Sequence, residues 1–165
     1  MLFTMSETSW CDPHLDADMA ELPTGTVTLL LADVEGSTQL WDTQPEIMKA
    51  AVARLDQTLA ATVDDHRGVR PVEQGEGDSF VIAFTRALDA VNCALALQRT
   101  SLAPLKLRIG IHTGDVNLRD EGNYIGPTIN RAARVRDLAH GGQTVLSSAA
   151  EPLVVDQLPA EVTLT

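Results

Sequence analysis

Short apolar runs and helical stripes alternate along this chain. A run of strand length covers residues 26–32, and its apolar continuity predicts a central strand buried on both faces of a sheet. A long helix then begins at Pro45 and ends before Gly68, since proline is favoured in a first helical turn and glycine interrupts the pattern. Its apolar face recurs every three or four residues, at Met48, Val52, Leu55, Leu59 and Val63.

Downstream of the first helix, the same patterns predict two hairpins, two more helices and a final strand. The predicted segments are strands at 69–74 and 79–84 around the turn Gly75-Glu76-Gly77-Asp78, a helix at 87–95, a strand at 105–113 with a short partner strand at 115–118, a helix from Pro127 to Gly141–Gly142, and a strand at 144–147. This order is typical of an α+β fold. We therefore expect a ferredoxin-like sandwich, in which helices pack on a mostly antiparallel sheet.

Composition adds a boundary and excludes several classes of partner. Residues 1–24 lack periodicity and hold five acids without Lys or Arg, which predicts a mobile acidic extension before a domain at 25–165. The net charge of −11 argues against nucleic acid or an anionic membrane surface as the partner. No apolar run reaches the roughly 18–20 residues of a membrane span, and no signal peptide is recognisable, so a cytoplasmic protein is expected.

The two cysteines, Cys11 and Cys93, predict neither a disulfide framework nor a zinc cluster. Cys93 lies in an apolar helical pattern, which places it in the core. The acidic composition bears on ligands as well. Because an acidic surface repels a triphosphate, a nucleotide site here would need divalent metal ions and a few well-placed arginines.

Two carboxylates are conspicuous by position. Asp33 ends the first buried strand, and Asp78 lies at the tip of the glycine-flanked hairpin. If the hairpin pairs beside the first strand, both carboxylates reach one point, and carboxylates completed by water and phosphates are what Mg²⁺ uses in phosphoryl-transfer sites. On spacing alone, however, the alternative is favoured, in which Asp33 caps a helix and Asp78 is a turn residue.

Two further segments are candidates for binding an anion or a ribose. The turn after Asp33 opens a helix N-terminus, whose N–H groups suit an anion, although an ordinary capped turn explains it too. In the third helix, Asn130 and Arg134 are four residues apart and share one face, while Ile129, Ala132 and Ala133 point to the core. An amide and a guanidinium together suit a ribose oxygen and a phosphate, but a solvated face is the alternative.

Together these segments resemble the class III nucleotidyl cyclase (adenylate/guanylate cyclase) catalytic domain. The resemblance is carried, in the family's order over residues 26–150, by Leu31-Ala32-Asp33-Val34-Glu35-Gly36-Ser37-Thr38, Gly77-Asp78-Ser79-Phe80, Arg108-Ile109-Gly110-Ile111-His112-Thr113-Gly114 and Asn130-Arg131-Ala132-Ala133-Arg134. It implies a lyase that converts a nucleoside triphosphate into a 3′,5′-cyclic nucleotide and pyrophosphate for intracellular signalling. ATP is the expected substrate, with GTP as a second candidate. The alternative is a degenerate, inactive domain that serves as a nucleotide-binding or dimerisation module.

The resemblance also implies a role for each matching residue. Two Mg²⁺ or Mn²⁺ ions would bind Asp33, Asp78 and the carbonyl of Val34. The implied substrate-binding and catalytic residues are Gly36, Ser37 and Thr38 as a phosphate cradle, Arg108 on the triphosphate, Asn130 on the ribose and Arg134 on the α-phosphate. In the family these groups meet across a head-to-tail homodimer, with Asn130 and Arg134 coming from the second subunit.

The sequence departs from the family's pattern at the base-reading positions and in length. Adenylate cyclases usually read adenine with a lysine and an aspartate, and the corresponding positions here are Gln74 and Asn123. Amides both donate and accept, which predicts relaxed base choice. The segment between Gly114 and Gly126 is short, as in a subclass with an abbreviated dimerisation arm, and the domain is expected to be short at its C-terminal end. The short C-terminal end predicts either a truncated chain or a shortened gene product that descends from a larger cyclase–transcriptional regulator.

Overall fold

A computed structural model describes residues 20–72, 78–120 and 122–165 of the chain. Its strands and helices are β1 (Thr26–Val34), α1 (Ser37–Thr43), α2 (Pro45–Asp65), β2 (Ser79–Phe84), α3 (Ala87–Arg99), β3 (Leu107–Asp115), β4 (Asn117–Arg119), β5 (Asn123–Ile125), α4 (Pro127–Asp137) and β6 (Thr144–Leu146), followed by 3₁₀ turns at Glu151–Leu153 and Val155–Gln157. The α+β fold expected from the pattern is confirmed. No helix in the described ranges is long and apolar enough to cross a membrane.

The main sheet has the strand order β2-β1-β3-β6. β1 pairs antiparallel with both β2 and β3, and β6 is parallel to β3. The apolar run that predicted a central strand therefore pairs with β3 over its whole length and with β2 from Thr28 onward. The register places Asp33 opposite Ser79 on β2 and opposite Arg108 on β3. One end of the sheet thus gathers polar side chains from three adjacent strands.

The helices cover both faces of this sheet. α2 and α3 pack on one face, where the larger core cluster includes Leu30, Ala32, Ile109 and Ile111 from alternate positions of β1 and β3. The opposite face carries a smaller cluster with Leu29, Leu31, Val81, Tyr124 and Ala132, and α4 packs there. Asp33 and Arg108 belong to the α4 face, because they alternate with the residues of the larger core.

Two glycines of β3 allow α4 to lie directly on the sheet. A Cβ atom added at Gly110 would come 2.5 Å from the Cα of Arg136, and one at Gly114 would come 2.9 Å from Oγ1 of Thr128. Thr128 also donates a hydrogen bond to the carbonyl of Asp115. The start of α4 therefore lies beside the end of β3, and its last turn lies toward Arg108 and Asp33.

The structure corrects several sequence-based boundaries. β3 is not broken at Gly114, which pairs with Val27, and the predicted hairpin between 105–113 and 115–118 is wrong because β4 pairs with β5 instead. The last helix ends at Asp137 rather than at Gly141. Of the predicted 69–74 strand, Val69 forms one antiparallel bridge to Ala83, and residues 73–77 lie outside the described part.

Cys93 of α3 and the residues just before β1 also contribute to the core. Cys93 is fully buried, as predicted, and desolvation raises the pKa of its thiol to about 12. Leu22 packs against the smaller cluster, and the hydroxyl of Tyr124 donates a 2.7 Å hydrogen bond to the carbonyl of Pro23. The lead-in to β1 therefore contacts the domain. Cys11 lies outside the described residues.

Candidate active site

Asp33 and Arg108 form a two-pronged ion pair on the α4 face of the sheet. Nε of Arg108 donates to Oδ1 of Asp33 at 2.8 Å, and Nη2 donates to Oδ2 at 2.5 Å. The side chains are 18% exposed for Asp33 and 29% for Arg108, so water screens this pair only in part. The hydrogen bonds that Arg108 donates to Asp33 raise the pKa of Arg108. The proposed metal ligand and the proposed triphosphate ligand are thus direct neighbours.

A second guanidinium lies beside the same carboxylate. Nε of Arg136 lies 3.6 Å from Oδ2 of Asp33, and the Arg136 side chain is only 21% exposed. Two atoms of this guanidinium, Nε and Nη2, donate to Oδ1 of Asp137 at 3.1 and 2.9 Å. The sequence interpretation missed Arg136. Its signal was the helical spacing, since Arg136 follows the buried Ala132 by four residues and so lies on the inner face of α4.

Asp78 lies beside Asp33 through the backbone of β1 and β2. The N–H of Val34 donates to the carbonyl of Asp78 at 3.1 Å, and the next residue, Ser79, pairs with Asp33. The Asp78 side chain belongs to a half-buried residue, whereas Val34 is buried. The structure therefore brings together the three positions that the resemblance assigned to metal binding.

The turn that follows Val34 leads into α1. Gly36 is the N-cap of this helix and has a φ of 66°, a left-handed conformation that glycine adopts without strain. Ser37 and Thr38 form the first turn, where N–H groups lack helical partners by geometry. The N–H of Glu35 donates to the carbonyl of Lys106 at 2.9 Å, which ties this turn to the strand end beside Arg108.

Asn130 and Arg134 point away from Asp33. Both are exposed on α4, and within the described residues no hydrogen bond or ion pair joins either to the Asp33 cluster. Successive helical residues are about 100° apart, so Arg134 and Arg136 project from nearly opposite sides of α4. A single chain therefore does not assemble all the predicted site residues at one point.

The two base-reading candidates differ in what can be described. Asn123 is the first residue of β5, where it pairs with Arg119 of β4, and it is half-buried. Gln74 lies outside the described residues. Asn123 is close in sequence to the start of α4, because Gly126 separates β5 from that helix.

His112 is buried on the same face of the sheet as Arg108, four residues further along β3. Its Nδ1 lies 2.8 Å from Oγ of Ser147, and only 7% of the residue is exposed. Desolvation, and next the positive charge of Arg131, lower the pKa of His112. These contacts indicate a structural role for His112.

The donor set around Asp33 fits divalent metal ions that share their coordination with a substrate. Within the described ranges, no cluster of three or more His, Cys, Asp or Glu side chains is placed to hold an ion. Two carboxylates and one carbonyl leave coordination positions for phosphate oxygens and water, which is how Mg²⁺ binds in nucleotide sites. Asp33 would exchange its Arg108 hydrogen bonds for the metal.

Comparisons with known proteins point to one family. The family model of the adenylate and guanylate cyclase catalytic domain matches residues 19–158. An uncharacterized protein of Mycobacterium tuberculosis is 64% identical over 148 residues, covering 89% of this chain and 52% of that protein. The adenylate cyclase of Podospora anserina is 28% identical over 166 residues, covering 82% of this chain and 8% of that protein.

Solved structures agree with the fold. A Trypanosoma brucei adenylate cyclase, studied in its monomeric state, superposes with a TM-score of 0.71 at 29% identity, covering 82% of this chain and 79% of that one. The chain spans about half the length of the mycobacterial relative. Since the family model covers most of the sequence, from residue 19 to residue 158, the chain belongs to the adenylate and guanylate cyclase catalytic domain family.

Proposed function

We propose that this chain is a cytoplasmic nucleotide cyclase that converts ATP, and GTP with lower preference, into a 3′,5′-cyclic nucleotide and pyrophosphate. The main support for this proposal lies at the end of β1. There, Asp33 lies next to Asp78 on the β2 side and next to Arg108 on the β3 side. Carboxylates that can hold metal beside a cation that can hold phosphate are the elements of a phosphoryl-transfer site. The active form is a head-to-tail homodimer.

In this proposal the metal side of the site belongs to one subunit. Asp33, Asp78 and the carbonyl of Val34 would hold two Mg²⁺ or Mn²⁺ ions. When bound, these ions stabilise the negative charge on the attacking and leaving oxygens. Arg108 turns from Asp33 to the triphosphate, and the N–H groups of the Gly36, Ser37 and Thr38 turn cradle phosphate oxygens.

The transition-state side comes from the second subunit. Asn130 of the partner subunit orients the ribose, and Arg134 of the partner subunit stabilises charge on the α-phosphate. The exposure of both residues on α4 and their separation from the Asp33 cluster support this division. The ribose 3′-hydroxyl gives its proton to water as its oxygen bonds to the α-phosphorus, the bond from that phosphorus to the bridging β-phosphate oxygen breaks, and pyrophosphate leaves. Positioning and charge stabilisation suffice, without a protein nucleophile.

One observation favours a second candidate function. Asp33 makes two hydrogen bonds to Arg108 in the free chain, so metal binding must first break a partly buried ion pair. If metal and nucleotide binding do not offset the free energy of breaking this ion pair, the domain is a nucleotide-binding or dimerisation module without turnover.

The test is product analysis after incubation with ATP or GTP and Mn²⁺ or Mg²⁺. The wild type should form cyclic nucleotide and pyrophosphate in equal amounts, and Asp33→Ala and Asp78→Ala should each abolish turnover without changing the fold. Asp56→Ala removes an exposed carboxylate of α2 and is the matched control. Unchanged turnover in Asp78→Ala would contradict the metal assignment, and absence of product from the wild type would favour the module.

The shared site has its own test. Asp33→Ala and Arg134→Ala should both be inactive alone, but a mixture should regain activity because one complete site forms in each heterodimer. A mixture that contains heterodimers and stays inactive would show that the two sets of residues do not serve one site.

A further inference from the structure

Arg136 lies beside Asp33, the proposed metal-binding carboxylate, at a distance too long for a hydrogen bond. Its Nε is 3.6 Å from Oδ2 of Asp33, beyond ordinary hydrogen-bond length, whereas Arg108 takes both carboxylate oxygens. Its closer partner is Asp137, the next residue in the chain, whose side chain is 57% exposed. An ion pair with so exposed a carboxylate contributes little, so Arg136 is able to exchange it for another anion.

The position of Arg136 is set by the packing of α4 on β3. At Gly110 the missing side chain lets the backbone of Arg136 approach the strand, and Arg108 lies two residues earlier on the same face. The two guanidinium groups therefore flank Asp33, from β3 and from α4. They are the cations within ion-pair distance of this carboxylate in the part of the chain that the structure describes.

We infer that Arg136 binds the terminal phosphates of the nucleotide in the site built on its own subunit's Asp33. The inference rests on the proposed function, and it gives α4 two tasks. Arg134, on the outer side of the helix, serves the neighbouring subunit's site, whereas Arg136, on the inner side, serves its own.

The charges at the site support this assignment. When metal takes the Asp33 carboxylate, Arg108 loses its ion-pair partner, Arg136 keeps only the exposed Asp137, and both guanidinium groups lie next to further positive charge. Both side chains are less than a third exposed, at 29% and 21%, and a partly buried cation whose counter-ion is lost or exposed to water is costly. Phosphate oxygens that bridge the metal remove that cost. Arg136 therefore opposes binding of the metal alone and favours binding of metal together with phosphate.

Because Arg136 opposes binding of the metal alone, the affinity for metal without phosphate distinguishes this role from a purely structural one. In Arg136→Gln, calorimetric titration with Mn²⁺ alone should give equal or tighter binding than in the wild type. Titration with pyrophosphate in the presence of Mn²⁺ should give binding weaker by about tenfold, the scale of one charge-assisted hydrogen bond. Arg136→Lys keeps the charge and should retain most of the pyrophosphate affinity. Arg99→Gln, which removes an exposed arginine paired with Glu161, is the matched control.

Heterodimers show which site Arg136 serves. The reference is the Asp33→Ala plus Arg134→Ala mixture, whose single complete site uses the Asp33 of the Arg134→Ala chain. Adding Arg136→Gln to the Asp33→Ala chain should leave the KM for ATP at the reference value. Adding it to the Arg134→Ala chain should raise KM about tenfold with little change in kcat, because terminal-phosphate contacts exist before and during the reaction.

The outcomes separate this inference from the proposed function. Equal KM values in both mixtures, or a raised KM only in the first, would overturn the assignment of Arg136 to its own site. Loss of affinity for Mn²⁺ alone and for pyrophosphate together would show that Arg136 only supports the fold. If the reference mixture is inactive, the shared-site function fails, and the two titrations still decide whether Arg136 binds phosphate.

Discussion

At the scale of single residues, the proposed function makes base choice depend on two amides. Asn123 is half-buried at the start of β5, and Gln74 is its proposed counterpart. An amide can turn by 180° to exchange donor for acceptor, so neither purine leaves a buried group unpaired. Since rejection of a wrong substrate comes mainly from such unpaired groups, the wild type should show only a modest preference for ATP in kcat/KM.

Fixing the donor and the acceptor should sharpen this preference. In the double variant Gln74→Lys with Asn123→Asp, the ATP-to-GTP ratio of kcat/KM should rise by about 1–3 kcal/mol in free energy terms, the scale of one unsatisfied buried group. Asn117→Asp changes an exposed amide of β4 and is the control. An unchanged ratio in an active, dimeric double variant would mean that these side chains do not face the base.

His112 should make stability depend on pH. Burial lowers its pKa below the ordinary value of 6.5, so the unfolded chain binds the proton more readily than the folded one. The stabilisation is present above pH 6.5 and is lost as pH falls through the folded-state pKa. Urea unfolding between pH 7.5 and pH 5 should therefore show a shallower pH dependence in His112→Gln than in the wild type.

The control for His112 is the exposed His140. His140→Gln should keep the wild-type slope of unfolding free energy against pH. If His112→Gln keeps it as well, the buried imidazole does not account for the loss of stability in acid.

At the scale of elements, the contact between α4 and β3 positions Arg134 and Arg136 of that helix. The Cβ of Gly110→Ala would lie 2.5 Å from the Cα of Arg136, against backbone that cannot rotate away. α4 must shift, which should cost about 1–3 kcal/mol in unfolding free energy and a larger share of activity. Gly122→Ala, whose Cβ would meet nothing closer than 3.7 Å, is the matched control. Equal activity in the two variants would show that the close packing of α4 on β3 is not critical for activity.

The long elements could be predicted from the sequence because their periodicities are long and uninterrupted. β1, α2 and the Pro127 start of α4 follow from such patterns. β5 has three residues, too few for an alternation to be recognised, and Gly114 suggested a break that cross-strand pairing overrides.

The site was predictable in its residue types and not in its contacts. Asp33 and Arg108 were both identified by resemblance, yet their ion pair depends on a register between strands that are 75 residues apart. Arg136 was missed because a third arginine in a charged helix resembles a solvated face. Its 3.6 Å distance to Asp33, together with the close backbone approach at Gly110, shows that it points to the sheet.

At the scale of the whole molecule, catalysis should require two copies of the chain. Asn130 and Arg134 are exposed and separated from the Asp33 cluster, so the specific activity should fall on dilution as dimers dissociate. The measurement compares initial rate per mole of chain with the dimer fraction from sedimentation over the same concentrations. A constant specific activity at concentrations where the chain is monomeric would contradict the shared site.

The central position of β1 in the sheet also determines which part of the proposed site opens by local unfolding. All nine residues of β1 are paired with β3, and most also with β2, whereas the β4–β5 ribbon has three residues in each strand. Amide hydrogens of Leu29 to Ala32 should therefore exchange with deuterium only through global unfolding, and those around Asn123 through local opening. The half of the proposed site that would hold phosphate and metal is thus built on the backbone expected to exchange most slowly, whereas the half proposed to read the base should open many times before the domain unfolds once.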